Sequence, residues 1–487
     1  MSWPFGTVIM SDTGELLISE AQQKQFSEAR LARDSRFDGK FFVAVKSTGI
    51  FCRPICPARL PQEKNVAYYR LSLEAMRDGY RPCLRCRPDS APGSFAWLGV
   101  TTTVQRALTL LAAIPPQPLT IIAQRLGISV RYLHQLMTTH LGISPKQIQV
   151  YHQLLFAKSL LQQSRIDVTS VAVAAGFESP RRLQDMMKKY WQLSPSMLRK
   201  SHSPLAVQPS APVVTLQLSY LPPYDWSFVR DFLLRRQISG VEEISSSAYA
   251  RVFTCGVASG KVVATHCPDQ QRFDVSLEIS DLSQVRNVMA NVARVLDVQA
   301  NPDIIQQALA RAGIPVAQQL TGIRLPGVWS EFEAGCRAIV GQQVSVKAAI
   351  NAVNLLVSKL GKITPFGTAF PTAAAVAAHA LEFLKMPQAR RQALRLFAAT
   401  VAEWDAQTPL TENAILAIKG VGPWTRDYIM MRGHSLPDVY LGTDLIAKRM
   451  AGAMALEPEA AAPWRSYLTL QLWELADRLQ KEKISNV

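Results

Sequence analysis

The rhythm of apolar and polar positions changes along the chain, and each change predicts a different architecture. Between 97 and 202 apolar residues recur at helical spacing, and the pattern occurs twice. LTIIAQRLGISVRYLHQLM (119–137) is matched by VTSVAVAAGFESPRRLQDMM (168–187). Ala123 and Ala172 stand 49 residues apart, as do Gly127 and Gly176. After one inserted residue, Leu133 and Leu183 stand 50 apart, as do Ser144-Pro145 and Ser194-Pro195. Each copy predicts a helix closed by glycine and a second helix opened by Ser129 or Ser179 as N-cap. Pro180 falls at a first helical position. This is the grammar of two helix-turn-helix units. From 213 to 290, VVTLQLSY and RFDVSLEI alternate with period 2 and predict strands beside a short helix. From about 295 onward the pattern is helical. Within it, one helix is expected to end at Lys419 and another to start at Pro423, joined by Gly420-Val421-Gly422. Breaks with no periodicity fall at Ala91-Pro92-Gly93-Ser94 and in a linker at 203–212.

A length of 487 residues allows two to four domains, and 48% hydrophobic with 18% charged residues excludes a disordered or fibrous chain. No apolar run approaches 18 residues and the start, MSWPFGTVIMSDTGE, has no basic region. Neither a membrane span nor a secretory signal is expected. The net charge of +16 is uneven: residues 96–205 carry 12 basic against 3 acidic side chains. That block sits on the predicted repeat. Arg131, His134 and Gln135 follow one cap, and Arg181, Arg182 and Gln184 the other. A solvated surface would carry the same excess, but repetition plus charge points to DNA.

Four of the seven cysteines cluster as Cys52-x3-Cys56 and Cys83-x2-Cys86, with 26 residues between the pairs. An odd count without a signal peptide argues for free thiols in a reducing cytoplasm. Two close pairs across a loop suit a tetrahedral Zn²⁺, one per chain. The common role of such a site is structural. Here the flanks are basic (Arg53, Arg59, Arg81, Arg85, Arg87), and four thiolates around Zn²⁺ stay anionic and nucleophilic. Spacing does not single out one sulfur.

Three resemblances follow from these residues. Residues 97–202 resemble the AraC-type tandem helix-turn-helix domain, whose two recognition helices enter the major groove. RDSRFDGK, VKSTGIFCRPICPAR and GYRPCLRCRPD, within 21–90, resemble the N-terminal domain of the Ada family. That resemblance implies a zinc-bound methyl acceptor for DNA methylphosphotriesters, with Cys52 as the acceptor. Gly420-Val421-Gly422 with Asp444 22 residues on resembles the helix-hairpin-helix DNA glycosylases. More closely, LPPYDWSFVRDFL, RLPGVWSEFEAGCRAIVGQQVS, KGVGPWTRDY and PWRSYLTLQLWEL resemble AlkA-type 3-methyladenine glycosylases. The glycines would hold backbone amides toward a DNA phosphate, with Thr425 beside them. Asp444 would stabilise the sugar cation, although by itself it reads as well as a helix cap. Trp424, Tyr428, Trp473 and Phe232 would form an aromatic pocket for a flipped cationic base. Gln343 stands where the family can offer an apolar wedge. Glycosylases that also cut the strand carry a lysine where this chain has Trp424, so a monofunctional hydrolase is implied.

The expected fold is multidomain and mainly α with α+β parts. A small zinc Cys₄ α/β domain (21–90) precedes the tandem helix-turn-helix (97–202). A small antiparallel sheet domain (213–290) and a helix-hairpin-helix bundle (295–487) follow. The expected function is alkylation-damage repair and response. The expected partners are double-stranded DNA, at promoter and alkylated sites, and RNA polymerase as the target of an activator. The expected state is a monomer in the cytoplasm, associated with the nucleoid and with no membrane contact. The competing class is a regulator whose C-terminal half binds damaged DNA without catalysis.

Overall fold

A computed structural model divides the chain into two compact units, Met1–Gln208 and Pro209–Val487. The structure describes residues 18, 20–33, 37, 41–56, 58–70, 72–83, 85–86, 88, 102–112, 117–199, 213–403 and 411–485. The linker expected at 203–212, the break at 91–94 and Arg87 lie outside the described residues.

The first unit opens with α1 (Glu20–Leu31), β1 (Phe42–Val45), β2 (Ile50–Cys52), β3 (Val66–Tyr69), α2 (Ser72–Arg77) and β4 (Arg81–Pro82). The four strands lie in the order β3-β1-β2-β4. The pairing of β2 with β4 is parallel, with Ile50 opposite Arg81 and Phe51 opposite Pro82. Alternate residues of β1, and Phe41 just before it, serve two small cores, Phe41 and Val43 with Phe26, and Phe42 and Ala44 with Phe51.

Seven helices follow: α3 (Thr102–Ala112), α4 (Leu119–Leu126), α5 (Val130–Leu141), α6 (Pro145–Gln163), α7 (Val168–Ala174), α8 (Pro180–Trp191) and α9 (Pro195–Arg199). Their ends follow local chemistry. The Ser129 hydroxyl accepts from the Tyr132 amide and that of Ser179 from the Arg182 amide, both at 3.1 Å. Gly127 closes α4 at φ 70°, a left-handed position natural to glycine. Such caps contribute about 1 kcal/mol each. Met76 of α2 is buried in the same core as Leu133, Leu141 and Ile148, so the sheet and the first helical pair share apolar packing.

The second unit contains β5 (Val214–Ser219), α10 (Trp226–Leu234), β6 (Glu242–Ile244), β7 (Ala248–Cys255), β8 (Ala258–Cys267) and β9 (Arg272–Ile279). The strands form an antiparallel sheet in the order β5-β9-β8-β7-β6. Strict burial of every second residue along β9 is the predicted alternation. The helices are α11 (Val285–Val295), α12 (Pro302–Arg311), α13 (Glu331–Val340) and α14 (Val346–Leu360). A hairpin of β10 (Lys362–Thr364) and β11 (Gly367–Ala369) interrupts them. Then come α15 (Ala373–Ala378), α16 (Gln388–Glu403), α17 (Glu412–Leu416), α18 (Pro423–Tyr428), α19 (Leu445–Ala453) and α20 (Arg465–Ser485). Helix α13 is buried along its length, and Cys336 in its middle is fully covered as a small apolar residue. A Cβ at Gly335 would lie 2.1 Å from the Phe397 ring, so only glycine lets α16 pack this closely.

Two details differ from the sequence reading. The β10–β11 hairpin has strands of three residues, too short for alternation to register. The helix before the glycine hairpin stops at Leu416 rather than Lys419. Residues 417–420 turn instead, because Gly420 at φ 90° must bring its backbone against Ala393.

Candidate functional site

In the first unit, β2 delivers Cys52 and a tight turn delivers Cys56, whose amide donates to the Arg53 carbonyl at 3.1 Å. β4 ends beside Phe51, with the Cys83 amide donating to the Phe51 carbonyl at 2.9 Å. The parallel β2–β4 pairing therefore carries the second cysteine pair to the first. All four sulfurs lie within 4.8 Å of one another. A tetrahedron of Zn–S bonds of about 2.3 Å has sulfurs about 3.8 Å apart, so the set fits Zn²⁺. As thiols the group shares its protons unevenly. Hydrogen bonding from Cys52 draws Cys56 down to about 7 and Cys83 below the thiol range, while bonding to Cys56 pushes Cys52 above it. Cys56, Cys83 and Cys86 are buried, and Cys52 is the most exposed of the four. The Arg53 amide donates to the Cys86 sulfur at 3.3 Å. Arg59 and Arg85 are exposed nearby in sequence.

On the helical part of this unit, Arg131 and Gln135 of α5 and Arg181 and Arg182 of α8 are all exposed, as are His134 and Gln184. Leu133 and Leu183 between them are fully buried. Each second helix therefore turns a polar face outward from its cap.

In the second unit a cavity of about 440 Å³ is lined by Phe232 of α10, Gly341 and Val344 after α13, Trp424 and Tyr428 of α18, Asp444, and Trp473 of α20. The four aromatics foreseen from sequence thus meet at one site. Phe232 and Trp473 are nearly parallel with centroids 6.4 Å apart, and Trp424 and Tyr428 stack at 5.3 Å. Asp444 is held from four directions. Oδ2 accepts from the Trp424 indole at 3.0 Å. Oδ1 accepts from the Trp473 indole and from the Ile446 and Ala447 amides, each at 3.0 Å. The cap and the pocket carboxylate are thus the same group: capping α19 fixes it, and the two indoles aim it.

The hairpin is braced by a residue that the sequence reading missed. Gln342 donates from Nε2 to the Gly420 carbonyl and to the Thr425 hydroxyl, each at 3.1 Å. Thr425 is only 1% exposed, so its side chain supports the hairpin from within. Gly422 caps α18 in extended backbone. Gln343, one residue beyond Gln342, is exposed and held at φ 56°, a conformation costly for a side chain other than glycine, Asn or Asp.

Also unforeseen is a buried quartet that joins the sheet to the bundle. Arg251 pairs with Glu242 at 2.7 Å and with Glu333, and Arg337 pairs with Glu242 at 3.0 Å and Glu333 at 2.8 Å. Removing one member would leave a charge buried alone, at a cost of about 3–5 kcal/mol. Glu242 and Arg337 are 95 positions apart, and no local spacing joins the sheet residues to those of α13. Arg337 also lines the cavity, as does Arg236, whose pKa burial lowers to about 9.

A zinc-thiolate cluster, two helix-turn-helix units and an aromatic cavity with a pinned carboxylate beside a glycine hairpin define a DNA-repair protein that also reads DNA. Models of the metal binding domain of Ada, a helix-turn-helix domain and the AlkA N-terminal domain match residues 25–89, 122–201 and 215–330. The probable bifunctional transcriptional activator/DNA repair enzyme AlkA of Mycobacterium tuberculosis is 32% identical over 91% of this chain and 94% of its own. DNA-3-methyladenine glycosylase 2 of Escherichia coli is 35% identical, over 53% of this chain and 95% of its own. The bifunctional transcriptional activator/DNA repair enzyme Ada of Escherichia coli is 37% identical, over 30% of this chain and 40% of its own. The chain belongs to the family of the bifunctional transcriptional activator/DNA repair enzyme AlkA. It is a DNA-repair enzyme with a Zn²⁺ centre, and double-stranded DNA is its partner.

Proposed function

We propose that the second unit is a monofunctional glycosylase that releases alkylated bases of the 3-methyladenine type. The observation that carries this reading is the Asp444 carboxylate, pinned by two indoles at the wall of an aromatic cavity. The flipped base stacks in the cavity, where each π face attracts a cationic ring by about 0.5–2 kcal/mol. As the C1′–N bond breaks, its electron pair leaves with the base and the sugar becomes cationic. Asp444 stabilises that cation without rearranging, because its hydrogen bonds already fix it. Water then adds its oxygen to C1′ and loses a proton. Gly420 and Gly422 hold a phosphate by backbone amides, and Gln343 meets the duplex beside the gap. Incubated with methylated duplex, the chain is expected to release free base and leave an intact abasic site. With Trp424 in place of a lysine, borohydride is expected to trap no covalent complex. Binding without release would favour the regulator reading, and robust trapping would mean that another amine performs strand cleavage.

In the first unit, Cys52 is the methyl acceptor. Bound Zn²⁺ keeps the four sulfurs as thiolates. The Cys52 sulfur attacks the methyl carbon of a phosphotriester, so an S–C bond forms and the C–O bond breaks. The electron pair returns to the phosphate, which regains its charge. Exposure supports Cys52 over its three buried neighbours. Methyl transfer changes the centre from about −2 to about −1 and weakens repulsion of DNA phosphates by about 1–3 kcal/mol after screening. Methylated protein is therefore expected to bind specific DNA roughly ten- to a hundredfold more tightly at fixed salt. Arg131, Gln135, Arg181 and Arg182 read the sequence, and RNA polymerase is the partner recruited. Equal affinities before and after methyl transfer would remove the electrostatic switch. A cytoplasmic monomer working at the nucleoid suits these roles.

A further inference from the structure

Helix α20 carries three polar side chains with no exposure at all, Ser466, Thr469 and Gln471, and none of them lines the cavity. A buried hydroxyl or amide is costly unless it is bonded, so each is committed to a partner. Gln471 serves the segment before α13: it accepts from the Leu320 amide at 2.8 Å and donates to the Gln318 carbonyl at 3.0 Å. Ser466 and Thr469 serve a different segment, the one that leads into Asp444. The Ser466 hydroxyl donates to the Leu436 carbonyl at 2.6 Å and accepts from the Val439 amide at 3.0 Å. The Ser466 amide lies in the first turn of α20, where no helical carbonyl can receive it, and donates to the Pro437 carbonyl at 2.9 Å. The Thr469 oxygen accepts from the Leu441 amide at 3.3 Å, and its hydrogen goes back one turn to the Arg465 carbonyl at 3.3 Å. Arg465 adds an outer tie to the two carboxylate oxygens of Asp438, at 2.7 and 3.2 Å. The Leu441 carbonyl in turn accepts from the Asp444 amide at 2.9 Å.

Spacing joins these bonds to the cavity. Ser466, Thr469 and Trp473 fall at i, i+3 and i+7, one stripe of α20. Trp473 supplies one of the two indoles that hold Asp444. A single helix therefore fixes both the backbone that delivers the carboxylate and a group that aims it. The cap on α19 cannot do this, because it ties Asp444 only to its own helix, wherever that helix stands. Leu441 is fully buried, so its amide has no water to turn to if the Thr469 oxygen is removed.

Resting on the glycosylase reading, we infer that Ser466 and Thr469 are positioning residues for base release: through Leu436, Val439 and Leu441 they set where the Asp444 carboxylate stands against the cavity. A carboxylate stabilises a nascent sugar cation only at the right distance, and a shift of about 1 Å can cost on the order of 10²-fold in rate. Their contribution falls on the breaking of the C1′–N bond and not on the binding of duplex.

The test measures single-turnover base release from methylated duplex, and duplex affinity, by the full zinc-loaded chain at a temperature where every variant is folded. Thr469→Val keeps the shape and loses the hydroxyl; it is expected to slow release about tenfold or more and to leave affinity within a few fold. Thr469→Ser restores the hydroxyl and should restore the rate to within a few fold of wild type. Ser466→Ala frees Leu436 and Val439 together and should slow release at least as much as Thr469→Val. A second readout needs no turnover. The indole N–H resonance of Trp424, which donates to Asp444 from another helix, should move in Thr469→Val and return in Thr469→Ser. That of Trp191, in the first unit, should stay in place in both. A purely structural role would lower the melting temperature while the folded variant kept its rate. Wild-type release by Thr469→Val, a loss that Thr469→Ser does not restore, equal losses of rate and affinity, or an unmoved Trp424 resonance would each overturn the inference. A wild type that binds methylated duplex and releases no base would instead overturn the glycosylase reading.

Discussion

Asp444→Asn is expected to lower the single-turnover rate of alkylated-base release by about 10²–10³-fold or more, and to leave duplex affinity within a few fold. The substitution removes the charge facing the sugar cation. It keeps most of the local structure, because Oδ1 accepts three bonds and Oδ2 only one. An asparagine places its oxygen at the Oδ1 position and retains the α19 cap and the Trp473 contact. Its amide group then meets the Trp424 indole, donor against donor. Asp444→Ala, by contrast, also loses the cap, worth about 1 kcal/mol. The melting temperature of Asp444→Asn should therefore stay closer to wild type than that of Asp444→Ala. Wild-type excision by the asparagine variant would mean that Asp444 is only a cap.

Removal of zinc should have the other large effect. The cores that flank the cysteine cluster are small, built around Phe26, Phe41, Val43 and Val66 on one side of the sheet and Phe42, Ala44, Phe51 and Ala75 on the other. A structural zinc site contributes about 10–16 kcal/mol of binding free energy, more than such cores supply. One zinc per chain is expected on release by a thiol-modifying reagent. After chelation, backbone amides of residues 41–56 and 72–83 should lose their protection from hydrogen exchange. Those of β7, β8 and β9 should keep theirs, because that sheet has its own core. Unchanged protection around the cysteines would show that the sheet folds without metal.

Much of this molecule was legible in its sequence, and the legible parts share a property: the interacting groups are near neighbours along the chain. Ser129 and Ser179 cap amides three residues away. Gly127 ends its helix within the same turn. Cys52 and Cys56, like Cys83 and Cys86, are paired by spacing alone. Short-range chemistry of this kind depends on residue type and offset alone. The membership of the aromatic pocket was also foreseen, but only through resemblance to a family, since aromatic residues at such spacing are more often core.

What tertiary structure alone decided involves distance and burial. The two indoles that pin Asp444 lie 20 and 29 residues from it, and the Arg251–Glu333 pair is 82 residues apart. Thr425 stands in the sequence as a polar residue beside the hairpin, and only the fold shows its side chain buried against Gln342. Cys52 could not be told from its three neighbours by spacing, but its exposure distinguishes it. The amino-acid sequence by itself determined the helices, their caps, the cysteine pairs and the exposed basic face of the repeat, because each follows from local periodicity and hydrogen bonding. The tertiary structure decided which carboxylate is held and which of the four thiols is least buried. Those properties depend on what the rest of the chain packs around each group, and no local pattern encodes that.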